Sequence, residues 1–265
     1  MIDAAHKEYR VDRWIEGAAV RAFDCIAEEI PVALSYNGIA HAVMLATPQE
    51  IEDFAVGFSL SECIVERAGE IYDLEVIERG NGLEVRIEVA SARAFALKER
   101  RRTLAGRTGC GLCGAEQLDQ VRHKTVVVQS SAELSAAALS RAKSQLVGMQ
   151  TLFQLTGAVH AAAWCDFDGR IEFLREDVGR HNALDKLIGS LARRQQSFAD
   201  GFVLVTSRAS YEMVQKAAAV GIAVVAAISA PTGMAVRIAE ETGVTLIGFT
   251  RADRHSVYAH PERVH

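Results

Sequence analysis

The first third of the chain alternates between apolar and polar positions in a way that predicts two β-hairpins around one helix. Apolar runs at 32–35 and 40–45 flank an Asn-Gly pair, a strong signal for a two-residue hairpin turn. Residues 83–89 alternate strictly after a glycine-rich turn, which predicts the second hairpin. Between the hairpins, residues 47–50 form a capping box with proline at the first helical position, which predicts that a helix begins there.

The second half of the chain repeats apolar strands and amphipathic helices. A long helix at 135–155 and a hairpin at 161–174 come first. Further strands are predicted at 202–206, 222–228 and 244–249, and further helices at 181–193, 211–220 and 234–242. The strands are apolar almost throughout, as strands covered on both faces must be. This order predicts a three-layer α/β sandwich on a mixed sheet, joined to a smaller N-terminal α+β portion.

The same order resembles the cytidine deaminase fold, whose zinc site offers a test. Zinc deaminases carry His-x-Glu at the start of one helix and Pro-Cys-x-x-Cys at the start of the next. The corresponding segments here are 181–183, which reads His-Asn-Ala, and 207–211, which reads Ser-Arg-Ala-Ser-Tyr. The catalytic base and both thiolates are missing. We therefore predict a cytidine-deaminase-like core without deaminase chemistry.

Residues 91–116 interrupt both patterns. Five cations crowd residues 98–107, and the sequence Gly-Cys-Gly-Leu-Cys-Gly follows at 109–114. Glycines around two cysteines predict a mobile loop that is poor in side chains. We interpret the loop as the seam between an N-terminal portion, residues 1–116, and an α/β domain, residues 117–265.

Composition excludes several classes of function. The chain has 265 residues, a net charge of −5 and only 6% aromatic residues, which argues against nucleic acid as a partner. No apolar run is long enough for a membrane helix, and the start lacks the features of a signal peptide. We therefore expect a cytoplasmic protein. An odd count of five cysteines argues against a disulfide framework.

Cys110 and Cys113 form the one closely spaced cysteine pair, and the residues alone leave four interpretations open. A structural zinc site needs four ligands, which two chains would have to supply together. A thioredoxin-like redox pair normally opens a helix after a strand. A carrier thiol would hold sulfur as a persulfide, and the nearby arginines favour its thiolate. The fourth is a pair of incidental surface cysteines. Of the others, Cys63 and Cys165 are interpreted as packing residues, and Cys25 stays undecided.

Four loops that follow predicted strands are rich in Arg, Ser, Thr and Gly. They lie at 175–182, 206–210, 229–233 and 249–254. In sheets of this kind ligands bind beyond the carboxyl ends of the strands, where helix N-termini favour phosphate. The loops therefore predict a phosphorylated or nucleotide-bearing ligand, with the carboxylates at 177 and 253 able to bond a base or ribose. The basic stretch at residues 98–107 either attracts an anion to the neighbouring cysteines or is a solvated surface. His160 is interpreted as a core histidine.

Several motifs together resemble the FdhD family of formate dehydrogenase accessory proteins. The cysteine loop is similar to the family's Cys-Gly-x-Cys-Gly. Further motifs lie at 47–58, 157–162, 176–186, 212–216, 229–232, 257–258 and 261–263, in the family's order. Two positions depart from its pattern: Thr108-Gly109 stands where serines are common, and Thr206-Ser207-Arg208 where Ser-Gly-Arg is usual.

The resemblance implies a sulfurtransferase that takes sulfur from a cysteine desulfurase and passes it to the molybdenum cofactor, in its bis-molybdopterin guanine dinucleotide form, for formate dehydrogenase. Cys110 would carry the persulfide and Cys113 would assist it. The family is typically dimeric. The expected cofactor-binding residues follow from its motifs and from the loops above; they are Asp177, Arg180, His181, Ser207, Arg208, Phe249, Thr250, Arg251, Ala252, Asp253 and Arg254. No resident metal and no zinc are expected. A cofactor-binding chaperone with dispensable cysteines is the alternative.

Overall fold

The computed structural model describes residues 5–104, 126–251 and 254–265. These residues form twelve strands and seven α-helices. The strands are β1 (His6–Ile15), β2 (Ala18–Ala27), β3 (Ile30–Tyr36), β4 (Ile39–Ala46), β5 (Ile71–Arg79), β6 (Gly82–Val89), β7 (His160–Asp166), β8 (Ile171–Asp177), β9 (Gly201–Val205), β10 (Val224–Ala227), β11 (Thr245–Gly248) and β12 (Ser256–Ala259). The helices are α1 (Ile51–Ser61), α2 (Ser91–Leu104), α3 (Ala136–Met149), α4 (Thr151–Thr156), α5 (Arg180–Arg193), α6 (Tyr211–Ala219) and α7 (Gly233–Thr242).

The N-terminal portion contains two sheets. Strands β1 and β2 form a separate antiparallel ribbon, and four strands form a sheet in the order β4-β3-β6-β5. Both predicted hairpins are present, β3–β4 and β5–β6, and β3 runs parallel to β6 between them. Asn37 and Gly38 both have positive φ, as the predicted turn between β3 and β4 requires.

The α/β half is built on a mixed six-stranded sheet in the order β12-β11-β10-β9-β7-β8. Strands β9, β10 and β11 are parallel, and β7, β8 and β12 run antiparallel to their neighbours. The predicted α/β class is confirmed, with the mixed sheet and the smaller N-terminal portion. The likeness to cytidine deaminases stays a prediction.

Helices α1 and α5 join the two halves. They pack closely along their lengths, and the buried apolar residues of both halves form one continuous core. A buried ion pair reinforces this contact, because Lys216 Nζ in α6 lies 3.0 Å from Asp185 Oδ2 in α5 and 2.7 Å from Glu62 Oε1 after α1. Burial by itself lowers the pKa of Lys216, but the two carboxylates outweigh it and raise that pKa, so the amine stays charged.

The structure corrects one predicted helix start. Helix α1 begins at Ile51, and its N-cap Glu50 has a left-handed backbone without a side-chain capping bond. The predicted capping box is therefore wrong. The Thr47 hydroxyl accepts a bond from the amide of Val178 instead, and so connects the two halves. A long-range partner has replaced the local one that sequence spacing indicated.

Two further predictions differ from the structure. The predicted helix at 135–155 is two helices, because the buried Glu176 carboxylate accepts bonds from the amides of Leu152 and Phe153 and so caps a new start. Residues 91–104, predicted to belong to an irregular seam, form helix α2, as their Ala, Lys, Glu and Arg content favours. Ribbon β1–β2 and strand β12 were not predicted. The predicted boundary at residue 116 lies outside the described residues.

Candidate functional site

The carboxyl ends of β9, β10 and β11 bring three of the predicted loops to one edge of the sheet. The loops are joined by main-chain hydrogen bonds: Thr232 N donates to Ala209 O at 3.0 Å, and Phe249 N donates to Ser229 O at 3.1 Å. Because β7 is antiparallel to β9, its first residue, His160, lies at the same edge. The fourth loop follows β8, where Asp177 pairs with His160. The sequence therefore placed these loops correctly relative to the sheet.

The starts of helices α5 and α6 lie side by side next to this edge. His181 Nε2 lies 2.8 Å from Glu212 Oε2, and Arg180 approaches the same carboxylate at 4.0 Å. The close approach of His181 is the largest cause of a lowered pKa for Glu212. The two helix N-termini and Arg180 favour an anion at this place, and the Glu212 carboxylate offsets part of their positive charge.

A cavity of about 480 Å³ opens at the same edge. It is lined by Lys143, Leu146, Gln150, Phe153, Gly157, Ala158, Val159, His160, Thr206 and Ile228. Burial is the largest cause of a lowered pKa for His160, and the charges of Arg180 and His181 lower it further. His160 is half-buried at the cavity wall, and not enclosed in the core as its apolar surroundings in the sequence had indicated.

Asp177 has a structural role, because its carboxylate is held by neighbouring residues inside the protein. Its carboxylate is fully buried, 2.7 Å from Lys186 Nζ, and it accepts bonds from the amides of Thr47 and Gly179 and from the Asn182 side chain. These partners occupy both oxygens. Instead of the predicted contact with a base or ribose, Asp177 fixes the loop that leads into α5.

The other predicted binding residues differ in how far they reach the surface. Arg208, Arg251 and Arg254 are exposed, and Arg251 donates to Ile228 O at 3.1 Å. Ser207 is buried and its hydroxyl donates to the carbonyl of Arg208. Phe249 is 43% exposed and has a left-handed backbone, with φ of 52°.

Two buried hydroxyls at this edge have no hydrogen-bond partner in the described part of the chain. They are Ser210 Oγ, at the N-cap of α6, and Thr250 Oγ1, in a fully buried side chain after β11. Most buried polar atoms in proteins are paired, so unpaired hydroxyls in a loop cluster provide hydrogen-bonding capacity for a bound molecule or for water.

Several predicted residues lie outside the described part of the chain. They are Cys110, Cys113, Ala252 and Asp253, together with the end of the basic stretch beyond residue 104. Cys165 is fully buried and burial raises the pKa of its thiol, which agrees with a packing residue. Cys25 and Cys63 are partly buried.

Sequence reasoning did not single out Glu212 or Lys143 for this site. An acidic residue in the first turn of a helix is ordinary, and a lone lysine on α3 carries no signal of its own. Within the described ranges, no group of three or more His, Cys, Asp or Glu side chains is arranged to hold a metal ion. Nor does any helix in those ranges have the length and apolar character needed to span a membrane.

A family model and several curated proteins match almost the whole chain. The FdhD/NarQ family model matches residues 27–265. A protein of Cupriavidus necator named "Sulfur carrier protein FdhD" is 56% identical over 98% of this chain and 90% of its own length. A protein of the same name from Bordetella petrii is 52% identical over 96% of this chain and 91% of its own length.

Among solved structures, a putative formate dehydrogenase accessory protein from Desulfotalea psychrophila has a similar fold. The TM-score is 0.76 at 22% identity, and the match covers 99% of this chain and 100% of that one. At this identity the likeness establishes the fold alone. The family model covers most of the chain, and the two curated relatives exceed half identity over nearly its whole length. The chain therefore belongs to the FdhD/NarQ family.

Proposed function

We propose that this protein is a sulfur carrier that takes sulfur from a cysteine desulfurase and delivers it to the molybdenum cofactor of formate dehydrogenase. The main support for this proposal is that relatives 56% and 52% identical to this chain are named sulfur carrier proteins. The cysteine pair supports the same function, because a carrier needs a thiolate that can reach both donor and acceptor. The cofactor, as the bis-molybdopterin guanine dinucleotide, is the substrate and not a resident group.

The chemistry needs both cysteines of the loop. The Cys110 thiolate attacks the outer sulfur of the desulfurase persulfide, a new S–S bond forms, and the desulfurase thiolate leaves. The Cys113 thiolate then attacks Sγ of Cys110, which forms a disulfide between the two and releases the outer sulfur as hydrosulfide to the cofactor. A cellular dithiol then reduces the disulfide and restores both thiols.

The loop edge of the six-stranded sheet is the proposed seat of the cofactor's guanine dinucleotide. Phosphates suit the starts of α5 and α6, where two helix N-termini and the Arg180 guanidinium favour an anion. The exposed Arg208, Arg251 and Arg254 add cations along the same edge. Contacts from Phe249, Thr250 and the adjoining residues 252–253 complete the proposed set, Ser207 shapes its loop, and Asp177 positions the start of α5.

The proposed cycle requires a reducing compartment and two partner proteins. Free thiols persist in the cytoplasm, where cellular reductants keep them reduced, so we place the protein there. The cysteine desulfurase and formate dehydrogenase are its proposed partners. We further propose that the chain works as a homodimer, and that residues 1–116 and 117–265 are its two structural portions, with a cytidine-deaminase-like core in the second.

Mass spectrometry tests the carrier function directly. The protein is incubated with a cysteine desulfurase and cysteine, and the tryptic peptide from 108 to 122, which contains both loop cysteines, is fragmented. We expect an added mass of about 32 Da on Cys110, the mass of one sulfur. Cys110→Ala should abolish both this addition and formate dehydrogenase activation, whereas Cys25→Ala, the matched control outside the loop, should leave both unchanged.

The alternative function is a chaperone that binds and inserts the cofactor without carrying sulfur. The cysteine loop favours the carrier, because binding alone requires no paired thiols. Full activation of formate dehydrogenase by the Cys110→Ala variant would establish the chaperone instead. Absence of the added sulfur from the wild-type peptide would also contradict the carrier.

A further inference from the structure

The ribbon formed by β1 and β2 exposes an unusual amount of apolar surface. Large apolar side chains along it are between 39% and 71% exposed. They are Tyr9, Trp14, Ile15, Val20, Phe23 and Ile26. With aromatic and aliphatic side chains of ordinary size, this exposure amounts to roughly 600 Å² of apolar surface in one element. Exposed apolar surface of this extent, shared between the two faces of one element, is characteristic of an interaction surface.

The ribbon is supported by the rest of the protein only near its base. Its strands pair only with each other in the described part of the chain. Residues next to the base, Ala5 and Ala27, pack in a small cluster with Leu152 and Val159, and β2 contacts α4. Ten-residue strands extend about 33 Å. An isolated two-stranded ribbon is marginal in water, so its outer part needs a cover.

Both faces of the ribbon carry part of the apolar surface. Cross-strand partners share a face, and the register pairs Arg13 with Val20 and Trp14 with Ala19. Tyr9, Ile15, Val20 and Ile26 therefore lie on one face, and Trp14 and Phe23 lie on the other. A cover that protects both faces must wrap around the ribbon or clamp it, which a flat partner surface cannot do.

The charges of the ribbon fit a copy of itself. Residues 6–27 contain four Lys or Arg and four Asp or Glu, so the ribbon is neutral in a chain whose net charge is −5. Opposite charges are neighbours on its surface, as where Arg13 lies 3.4 Å from Asp24. Two identical surfaces with a net charge would repel each other in a symmetric dimer, whereas neutral surfaces of mixed sign can meet.

We infer that the β1–β2 ribbon is a dimerisation arm that a second copy of this chain covers. A standard interface buries about 800 Å² on each partner, and the ribbon supplies the larger part of that area. A second copy is also the one cover that is present whenever the ribbon is folded. The inference rests on the homodimer proposed above and adds the surface that forms it.

Association of the full chain tests the inference. Sedimentation equilibrium measures the dimer dissociation constant for the wild type, Trp14→Glu and Phe23→Glu. Burying a charge in place of a central aromatic anchor should raise that constant at least about 30-fold. Tyr72→Glu is the matched control, since this aromatic on β5 is 70% exposed and lies outside the ribbon. It should leave the constant unchanged.

Hydrogen exchange of the wild type provides a second measurement that requires no variant. Amides of residues 6–27 should become more protected as protein concentration rises through the dimer dissociation constant. A wild type that stays monomeric would overturn both the homodimer and the arm. A dimer whose ribbon gains no protection would overturn the arm alone, as would a ribbon protected only when the desulfurase or formate dehydrogenase is added.

Discussion

Gly57 of α1 and Gly189 of α5 lie in reciprocal contact where the two helices cross. A β-carbon added to Gly57 would lie 2.7 Å from the Gly189 amide nitrogen, and one added to Gly189 would lie 2.8 Å from the Gly57 nitrogen. Each added carbon would also collide with a carbonyl oxygen of the opposite helix, that of Asp185 or Asp53. The two halves of the protein are therefore joined at a backbone-to-backbone contact that only glycine permits.

Alanine at this crossing should destabilise the whole protein. Gly57→Ala must push α1 away from α5, and overpacking of this kind in a core costs about 3 kcal/mol or more when the obstacle is backbone. Urea unfolding measures the loss. Gly148→Ala is the control, because Gly148 lies on α3 with open space around it, and alanine there should raise stability by up to about 1 kcal/mol. Equal stability of Gly57→Ala and wild type would contradict the crossing.

The sequence revealed the local elements better than the contacts between halves. The strands β9, β10 and β11 were predictable because fully buried strands are apolar at every position. The crossing at Gly57 was not, because a glycine within a helix has the same local pattern whether it meets a backbone or water. The prediction that Thr47 caps α1 is wrong for a related reason. Its hydroxyl accepts a hydrogen bond from the amide of Val178, which is 131 residues away.

The site was likewise predictable in position but not in detail. The loop edge followed from the order of strands and helices. The burial of Asp177 did not, since its ion pair with Lys186 is set by the way α5 packs against the β8 end. The β1–β2 ribbon was not predictable, because many of its apolar side chains are exposed and contribute little to this chain's own core. Its sequence therefore lacks the alternation of apolar and polar residues that marks a strand with one buried face.

Removing one partner of the buried Asp177–Lys186 pair should be costly. Lys186→Met leaves a carboxylate in a fully buried position without its cation, and such losses are about 3–5 kcal/mol. Chemical denaturation measures the change in the free energy of unfolding. The double variant Asp177→Asn/Lys186→Met removes both charges and should be more stable than Lys186→Met alone. Arg79→Ala, which breaks the exposed pair with Glu84, should cost at most about 1 kcal/mol.

The double variant also shows whether Lys186 or the neighbouring amide groups stabilise the Asp177 carboxylate. If Asp177 were stabilised mainly by its amide donors, the effects of the two substitutions would add, and the double variant would be no more stable than Lys186→Met. That outcome would contradict the ion pair as the device that fixes the start of α5.

Arginines at the loop edge should determine affinity for guanine nucleotides. With GDP as the probe, Arg251→Ala and Arg254→Ala should each weaken binding by roughly 10-fold or more, the value of one charge-assisted hydrogen bond. Isothermal titration calorimetry measures the dissociation constant. Arg170→Ala is the control, because Arg170 lies in the β7–β8 turn at the opposite edge of the sheet. Affinities within twofold of wild type would contradict the proposed seat.

His160 should make folding stability depend on pH. Burial lowers its folded-state pKa below the usual 6.5, so the unfolded chain binds more protons between those two values. The contribution of His160 is therefore unfavourable to folding at low pH, and stability should fall as pH decreases through 6.5. His160→Gln removes this term and should flatten the dependence measured by urea unfolding from pH 5 to 8. The same substitution at the exposed His265 is the control. A dependence in His160→Gln as steep as in wild type would contradict the assignment.

Phe249 combines backbone strain with a partly exposed ring at the proposed binding site, as expected of a residue held in place for binding. A side chain at φ of 52° costs about 1–2 kcal/mol relative to glycine, and the buried part of this ring, which is 43% exposed, offsets a similar amount. Both Phe249→Gly and Phe249→Ala lose the ring, but only alanine keeps the strain, so Phe249→Gly should be about 1 kcal/mol more stable than Phe249→Ala. Both variants remove the ring, so both should weaken GDP binding if the ring stacks on a base, an interaction of about 1–3 kcal/mol. Thermal unfolding and calorimetry on the two variants separate the effects. If Phe249→Gly were no more stable than Phe249→Ala, the backbone would not be strained; if both bound GDP as wild type does, Phe249 would not belong to the nucleotide seat.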